Sequence, residues 1–322
     1  MNSIVKHRFP AATYFSDMNE KYSVICSESM VHIYTHDYHK DSSIRIRNPH
    51  SAVFIDESSL VIKTMHSQYF QYHIAEHRLE EIINFKSRPV CESTYPIRID
   101  QGRKMIDIQY LSPEKQLFVC PLNEGDHALR YLGYDGDGVV TNLLYDEKRD
   151  IIAVVETAGR TINIFEYRGA TGEFVEKITC QVDKTVLTCF YKESEYLFVS
   201  KDLNRNIVLH DKDNVVRAVI RKFKRMDRQQ MNADNVHEYV KEVISWVRVS
   251  SSGKYCALIY SDRTEIYTLP RAELIGIFNL RYNHFAGFPD DHTVILGSWE
   301  TGYLIELNPH DRGVTLDLNF KR

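Results

Sequence analysis

The chain has 322 residues, 43% hydrophobic and 26% charged, the composition of an ordinary globular protein with ample apolar material for a core. Its formal net charge of -4 is too mild to imply a nucleic-acid or membrane partner by itself. No apolar run reaches the roughly 18 residues of a membrane span, and the opening MNSIVKHRFPAATYF lacks the apolar stretch of a signal peptide.

Period-two alternation rich in Val, Ile, Tyr, Phe and Thr, cut by polar turns, predicts short strands throughout. The first group is expected at 12–15, 22–26, 31–34 and 43–46, with SDMNEK as its first turn. The second covers 52–55, 60–64, 69–74 and 79–85. The third has 105–111, the turn SPEK, 117–120 and 128–132, and its fourth strand does not declare itself. The fourth runs 139–145, the turn DEKRD, 151–155, 161–166 and 174–180. The fifth runs 186–191, the turn KESE, 196–200, 207–210 and 215–220. The sixth is the clearest, SWVRVSSSGKYCALIYSDRTEIYTLPRAELIGIF from Ser245 to Phe278. The seventh is expected at 285–288, the turn PDDH, 293–297, 303–307 and 314–320. Residues 3–9 are one more strand, able to complete the last sheet or to supply an outer strand elsewhere.

Seven groups of about 46 residues fit a radial array of four-stranded sheets, each too small to bury its own faces and so stacked on its neighbours. The expected fold class is therefore all-β, a seven-bladed β-propeller of four-stranded antiparallel blades, forming one domain over 1–322. The sixth group resembles a WD-repeat blade, in SSSGKY before its second strand and SDRTEIYTL across the next turn and third strand. No Trp-Asp dipeptide ends a third strand and no Gly-His opens a blade, so the resemblance is to a divergent WD40-repeat-like propeller. The fourth group, LLYDEKRDIIAVVETAGRTINIFEY, is also similar to the seven-bladed lactonase propellers.

Two connections break the rhythm, at about 86–104 and 221–243. The resemblance implies that both emerge on one face, together with the turns between second and third strands. Long loops inside a compact repeat are functional or disordered more often than not. In the second, Arg217, Arg221, Lys222, Lys224, Arg225 and Arg228 make a basic cluster opposed by Asp227. It reads either as a solvated loop or as a contact for an acidic partner. A short helix is expected over 235–243, capped by Asn235 with Glu238 as reciprocal partner and carrying Val236, Tyr239, Val240 and Val243 on one stripe. Trp299, in SWETG after the seventh group's second strand, falls on the same face, where an exposed Trp is a common binding anchor. Trp246 lies within a first strand and is expected in the core.

Local catalytic signatures are missing. His32, His36, His39 and Asp37 are the densest ligand-type cluster, but they run from a strand into a turn where the side chains splay. The segment YDGDGVV at 134–140 has Asp135 and Asp137 at calcium-loop spacing without the bidentate Glu, and a tight turn explains its glycines. LGSWE around Ser298 lacks the second glycine of a nucleophile elbow. No metal, cofactor or catalytic residue is therefore assigned. Cys26, Cys91, Cys120, Cys180, Cys189 and Cys256 form no CxxC pair, and five lie in predicted strands, as free thiols of a cytoplasmic protein would.

The reading that follows is a protein-binding scaffold or adaptor acting through the insertion-bearing face, with Arg221, Lys222, Lys224, Arg225, Arg228, Tyr239 and Trp299 as its contact residues. An enzyme of the lactonase type, with a site in the central funnel, is the alternative. A nucleic-acid contact through the basic insertion is the second. No membrane partner is expected.

Overall fold

The computed structural model describes residues 3–86, 91–111, 114–122, 127–223 and 242–319. It is all-β, with seven propeller blades. In chain order the strands are β1 (Ile4–Phe9), β2 (Phe15–Met18), β3 (Tyr22–Cys26), β4 (Met30–Thr35), β5 (Lys40–Arg45), β6 (Pro49–Phe54), β7 (Ser59–Thr64), β8 (Gln68–His73), β9 (Arg78–Asn84) and β10 (Ile97–Ile99). They continue as β11 (Lys104–Leu111), β12 (Glu114–Pro121), β13 (Arg130–Leu132), β14 (Val139–Asp146), β15 (Ile151–Ala158), β16 (Thr161–Arg168), β17 (Phe174–Gln181), β18 (Thr185–Lys192), β19 (Glu195–Lys201) and β20 (Ile207–Asp211). The last are β21 (Val216–Arg221), β22 (Ile244–Val249), β23 (Tyr255–Tyr260), β24 (Arg263–Thr268), β25 (Leu274–Asn279), β26 (Asn283–Gly287), β27 (Thr293–Ser298), β28 (Gly302–Glu306) and β29 (Val314–Asp317). The one helical element among the described residues is a 3-10 turn, Asp100–Gly102.

The chain divides into two compact units. One, Phe15–Val182, holds the first four sheets, ordered β2-β3-β4-β5, β6-β7-β8-β9, β10-β11-β12-β13 and β14-β15-β16-β17. The other, Met1–Tyr14 with Asp183–Arg322, holds β18-β19-β20-β21, β22-β23-β24-β25-β29 and β1-β28-β27-β26.

Strand character follows position. Second strands are covered on both faces, so β7 and β23 are buried along their whole length; β23, YCALIY, reads as a continuous apolar run, while β7 carries Ser59, Lys63 and Thr64 into that burial. Outer strands such as β17 keep mostly exposed side chains. Between sheets the faces interlock. In the second unit Tyr255, Ile266 and Phe278 of the sixth sheet pack with Leu296 and Ile305 of the seventh. Each such side chain, fully buried, contributes about 1.5–3 kcal/mol.

Five first strands carry a β-bulge near their start, between Pro49/Ser51, Val140/Asn142, Val186/Thr188, Ile244/Trp246 and Asn283/Phe285. A bulge adds one residue and re-aims the side chains around it. This recurring kink prepares the surface described below.

Several expectations are corrected here. The strand expected at 105–111 is the second of its sheet, not the first; the first is β10, three residues inside the supposed 86–104 insertion. Much of the rest of that connection is core. Cys91 and Thr94 are buried, and the fully buried Lys63 ammonium donates to the Cys91 and Thr94 carbonyls at 3.0 and 2.9 Å. The first strand of the first sheet is Phe15–Met18 rather than 12–15, because Asp17, partly buried and accepting the Phe54 N–H at 2.9 Å, belongs to the strand and not to a turn. The 314–320 segment does not finish the seventh sheet. It joins the sixth as β29, and β1 completes the seventh. The helix expected over 235–243 falls almost wholly on 224–241, outside the described residues.

Candidate interaction surface

In the 183–322 unit, three sheets bring corresponding ends together. At this end lie the starts of β18, β22 and β26, the β19–β20, β23–β24 and β27–β28 turns, and the exit of β21. Backbone and side-chain bonds hold the ends level. Asn283, buried at the start of β26, donates its amide to the Tyr260 and Arg263 carbonyls at 3.1 and 2.8 Å and to Thr264 Oγ1 at 2.7 Å. The Asn283 N–H donates to the Ser261 carbonyl at 3.1 Å.

Trp299 stands on the β27–β28 turn and is 66% exposed. The turn is built by Ser298, whose hydroxyl accepts from the Glu300 and Thr301 N–H groups at 3.2 and 3.1 Å. With that hydroxyl committed and Ser298 buried, the LGSWE segment is a turn rather than an elbow presenting a nucleophile. Gly297 is required, since a Cβ there would fall 2.2 Å from the Thr13 carbonyl oxygen. Beside Trp299 lies His284, the residue of the β26 bulge, with ring centroids 6.4 Å apart; the Tyr14 ring centroid is 4.8 Å from that of His284. Burial lowers the His284 pKa from its ordinary value, despite the Tyr282 and Thr13 carbonyls that favour the charged form. Tyr282, just before β26, is 62% exposed.

Trp246 does not enter the core. The bulge after Ile244 inserts Ser245 and shifts the alternation, so that Val247 is buried and Trp246 is 50% exposed. Arg248, two residues on, lies with its guanidinium 5.9 Å from the Trp246 ring centroid. The chain has two tryptophans, and both are exposed at this end. On the fifth sheet, Leu203 tops the β19–β20 turn with 87% of its surface free. Asp202 and Asn206 fix that turn, Asn206 donating its N–H to Asp202 Oδ1 at 2.8 Å.

The two described ends of the 221–243 connection are clamped onto β24. Glu265, buried in β24, accepts from Arg263 Nε at 3.1 Å and from the Tyr267 and Tyr260 hydroxyls at 2.8 and 3.3 Å. Arg221 Nε lies 3.4 Å from the same carboxylate. Glu242, at the far end of the connection, pairs with Arg263 at 3.1 Å and with Arg221 at 3.7 Å. Burial and the Glu265 charge both raise the Tyr267 hydroxyl pKa, burial first.

The sequence-predicted contact residues therefore separate. Trp299 is exposed as expected, and Lys222 is exposed at the mouth of the connection. Arg221 is turned onto Glu265 and Glu242, and Arg217 onto Asp211 at 2.8 Å. Lys224, Arg225, Arg228 and Tyr239 lie outside the described residues. Leu203 and Tyr282 went unnoticed in the sequence, and Trp246 was assigned to the core. Leu203 had a signal, an apolar residue inside the polar turn DLNRN; Trp246 was hidden by the bulge.

Among the described residues no three His, Cys, Asp or Glu side chains gather as metal ligands. His32 is bonded through Nδ1 to Ser43 Oγ at 2.9 Å. In the YDGDGVV turn Asp135 and Asp137 face solvent, and the cation that meets its backbone is the Lys115 ammonium, 3.1 Å from the Gly136 carbonyl and bonded also to that of Gly138. No described helix is long and apolar enough to cross a membrane. The six cysteines are buried and form no disulfide with one another. No protein-family model matches the chain, and no curated protein matches it.

Proposed function

We propose that the protein is a WD40-repeat-like scaffold or adaptor, a single propeller domain of the cytoplasm that binds another protein through the end of its 183–322 unit. The observation that carries this reading is the exposure of both tryptophans, with Tyr282 and Leu203, at strand starts and turns on corresponding ends of three sheets. Aromatic side chains give large apolar contact area at small entropic cost, and a few of them commonly dominate a protein interface. Turns held by Ser298, Asn283 and Asp202 present those side chains already ordered, so little freedom is lost on docking. Lys222 and the basic residues that follow it would add attraction for an acidic partner surface.

The test is affinity purification from native cells with the wild-type chain, Trp299→Ala, Trp246→Ala and a deletion of 222–243. A partner held by the wild type is expected to fall at least about tenfold with either tryptophan variant, while circular dichroism and thermal midpoint stay unchanged. Recovery equal across all four would refute the assignment. Retention on an RNA matrix that weakens steeply with salt, and is lost on the deletion, would replace it with a nucleic-acid contact.

A further inference from the structure

The outer edge of the sixth sheet is filled by a strand from beyond the next sheet. β29 runs parallel to β25, with Gly276, Ile277, Phe278 and Asn279 opposite Val314, Thr315, Leu316 and Asp317. It is the one parallel pairing among the described strands.

The seat is specific along its whole length. Gly313 N–H donates to the Leu274 carbonyl at 3.0 Å, and Leu318 N–H to the Asn279 carbonyl at 2.9 Å. The Tyr303 hydroxyl donates to the Leu318 carbonyl at 2.7 Å. Arg281 N–H donates to Asn319 Oδ1 at 2.8 Å. A Cβ at Gly276 would stand 3.1 Å from the Val314 oxygen, so glycine lets the incoming backbone close up. Alternate side chains are read: Val314 and Leu316 are half-buried and Leu318 is buried, while Thr315, Asp317 and Asn319 face solvent. Leu318 sits in the apolar cluster that contains Phe278, Leu280 and Tyr303.

Upstream, the chain is fastened independently of this strand. The Ser3 N–H and hydroxyl donate to Asp311 Oδ2 at 2.6 and 2.7 Å, and Asn308 Nδ2 donates to Asp311 Oδ1 at 3.0 Å. Residues 313–319 can therefore leave while 308–312 stay in place.

We propose that this edge is a peptide-binding groove for an extended segment that alternates branched aliphatic residues with short polar ones. β29 is its resident occupant, exchangeable for a partner segment of the same pattern. The main-chain ladder supplies affinity and the alternate pockets supply specificity. The tether keeps the resident strand at an effective concentration of about millimolar, enough to exclude a free peptide of modest affinity. This groove lies along the outer edge of the sixth sheet and does not depend on the tryptophans.

A fluorescent GVTLDLN peptide is titrated into the full-length wild type and into the full-length variant Leu316→Asp/Leu318→Asp, whose own strand can no longer seat its anchors. The variant is expected to bind at least about tenfold more tightly than the wild type. Adding Gly276→Val to it, or moving the aliphatic residues of the peptide out of alternation, should abolish binding. A folded variant that binds no better than the wild type overturns the proposal. If the variant does not fold, hydrogen exchange on the wild type decides. The hydrogen-bonded Leu318 amide exchanging at least about tenfold faster than the hydrogen-bonded amides of β24 shows a strand that opens by itself; protection equal to theirs overturns the proposal.

Discussion

Lys63 with Asp107 and Arg221 with Glu265 are two clusters of the same chemistry: a base, a carboxylate and a tyrosine hydroxyl. The first is sealed. Lys63 and Asp107 are both fully buried, 2.7 Å apart, and the Lys63 ammonium also meets the Cys91 and Thr94 carbonyls. Asp107 accepts from the Tyr69 and Thr94 hydroxyls at 3.0 and 2.7 Å and from the Ile108 N–H at 2.8 Å. The second is open on one side. Glu265 is buried, but the Arg221 and Glu242 side chains are partly exposed. Burial, rather than the identity of the charges, makes the first a strut fixing the 91–94 segment and leaves the second a clasp at the mouth of a surface connection.

The sharpest way to break the contrast is Lys63→Met, which strands the Asp107 carboxylate without its cation. Uncompensated buried charge typically costs about 3–5 kcal/mol, read as a shift of the urea midpoint at constant slope. Lys63→Met with Asp107→Leu should recover part of the loss, because the Tyr69 and Thr94 hydroxyls remain unpaired. A loss under about 1 kcal/mol for Lys63→Met would show that water reaches the pair.

A third carboxylate gives an intermediate effect. Asp17 is partly buried, with the Phe54 and Met18 N–H groups as its donors, each at 2.9 Å, and Arg98 acting through space. Burial pushes its pKa up from 3.8 to about 6, against those donors. A raised folded-state pKa means that the folded chain holds the proton more tightly. The stabilisation is complete below about pH 4 and is lost as the pH rises through about 6. Relative to Asp17→Asn, the wild type should therefore gain about 2–3 kcal/mol between pH 7.5 and 4, measured as the difference of their urea midpoints. A difference that stays flat across that window would place solvent at Asp17.

The smallest effect is expected at the open clasp. Glu242→Gln should cost less than about 1 kcal/mol, and less again in about 1 M salt than in 0.1 M. Thermal midpoints at the two salt concentrations check it. A larger, salt-independent loss would make Glu242 part of the core.

Where turns are charged and strands uninterrupted, as at DEKRD and KESE, the fourth and fifth sheets could be read from the residues to within a few positions. Elsewhere the local pattern misled for identifiable reasons. Asp17 imitates a turn residue, yet it lies partly buried in a strand and accepts from backbone donors. Ile97–Ile99 is too short to show alternation. The V-T-L-D pattern of β29 correctly announces a strand, but alternation says nothing about which sheet receives it. Ser245 shifts the phase of β22 by one and turns Trp246 outward. Arg221 looked like a free contact residue because its partners, Glu242 and Glu265, come from later in the chain. The tryptophan-bearing surface was legible only at Trp299, where the residue lies on a turn.

The seventh sheet pairs Ile4 with Glu306. On the ribosome that strand is made about 300 residues before its partner. At about 5–20 residues per second, it waits some 15–60 s with nothing to pair with. Its composition suits the delay: Lys6, His7 and Arg8 separate the apolar ends, and Phe9 is its one buried side chain. Basic residues on a lone strand discourage it from annealing to a neighbouring nascent chain.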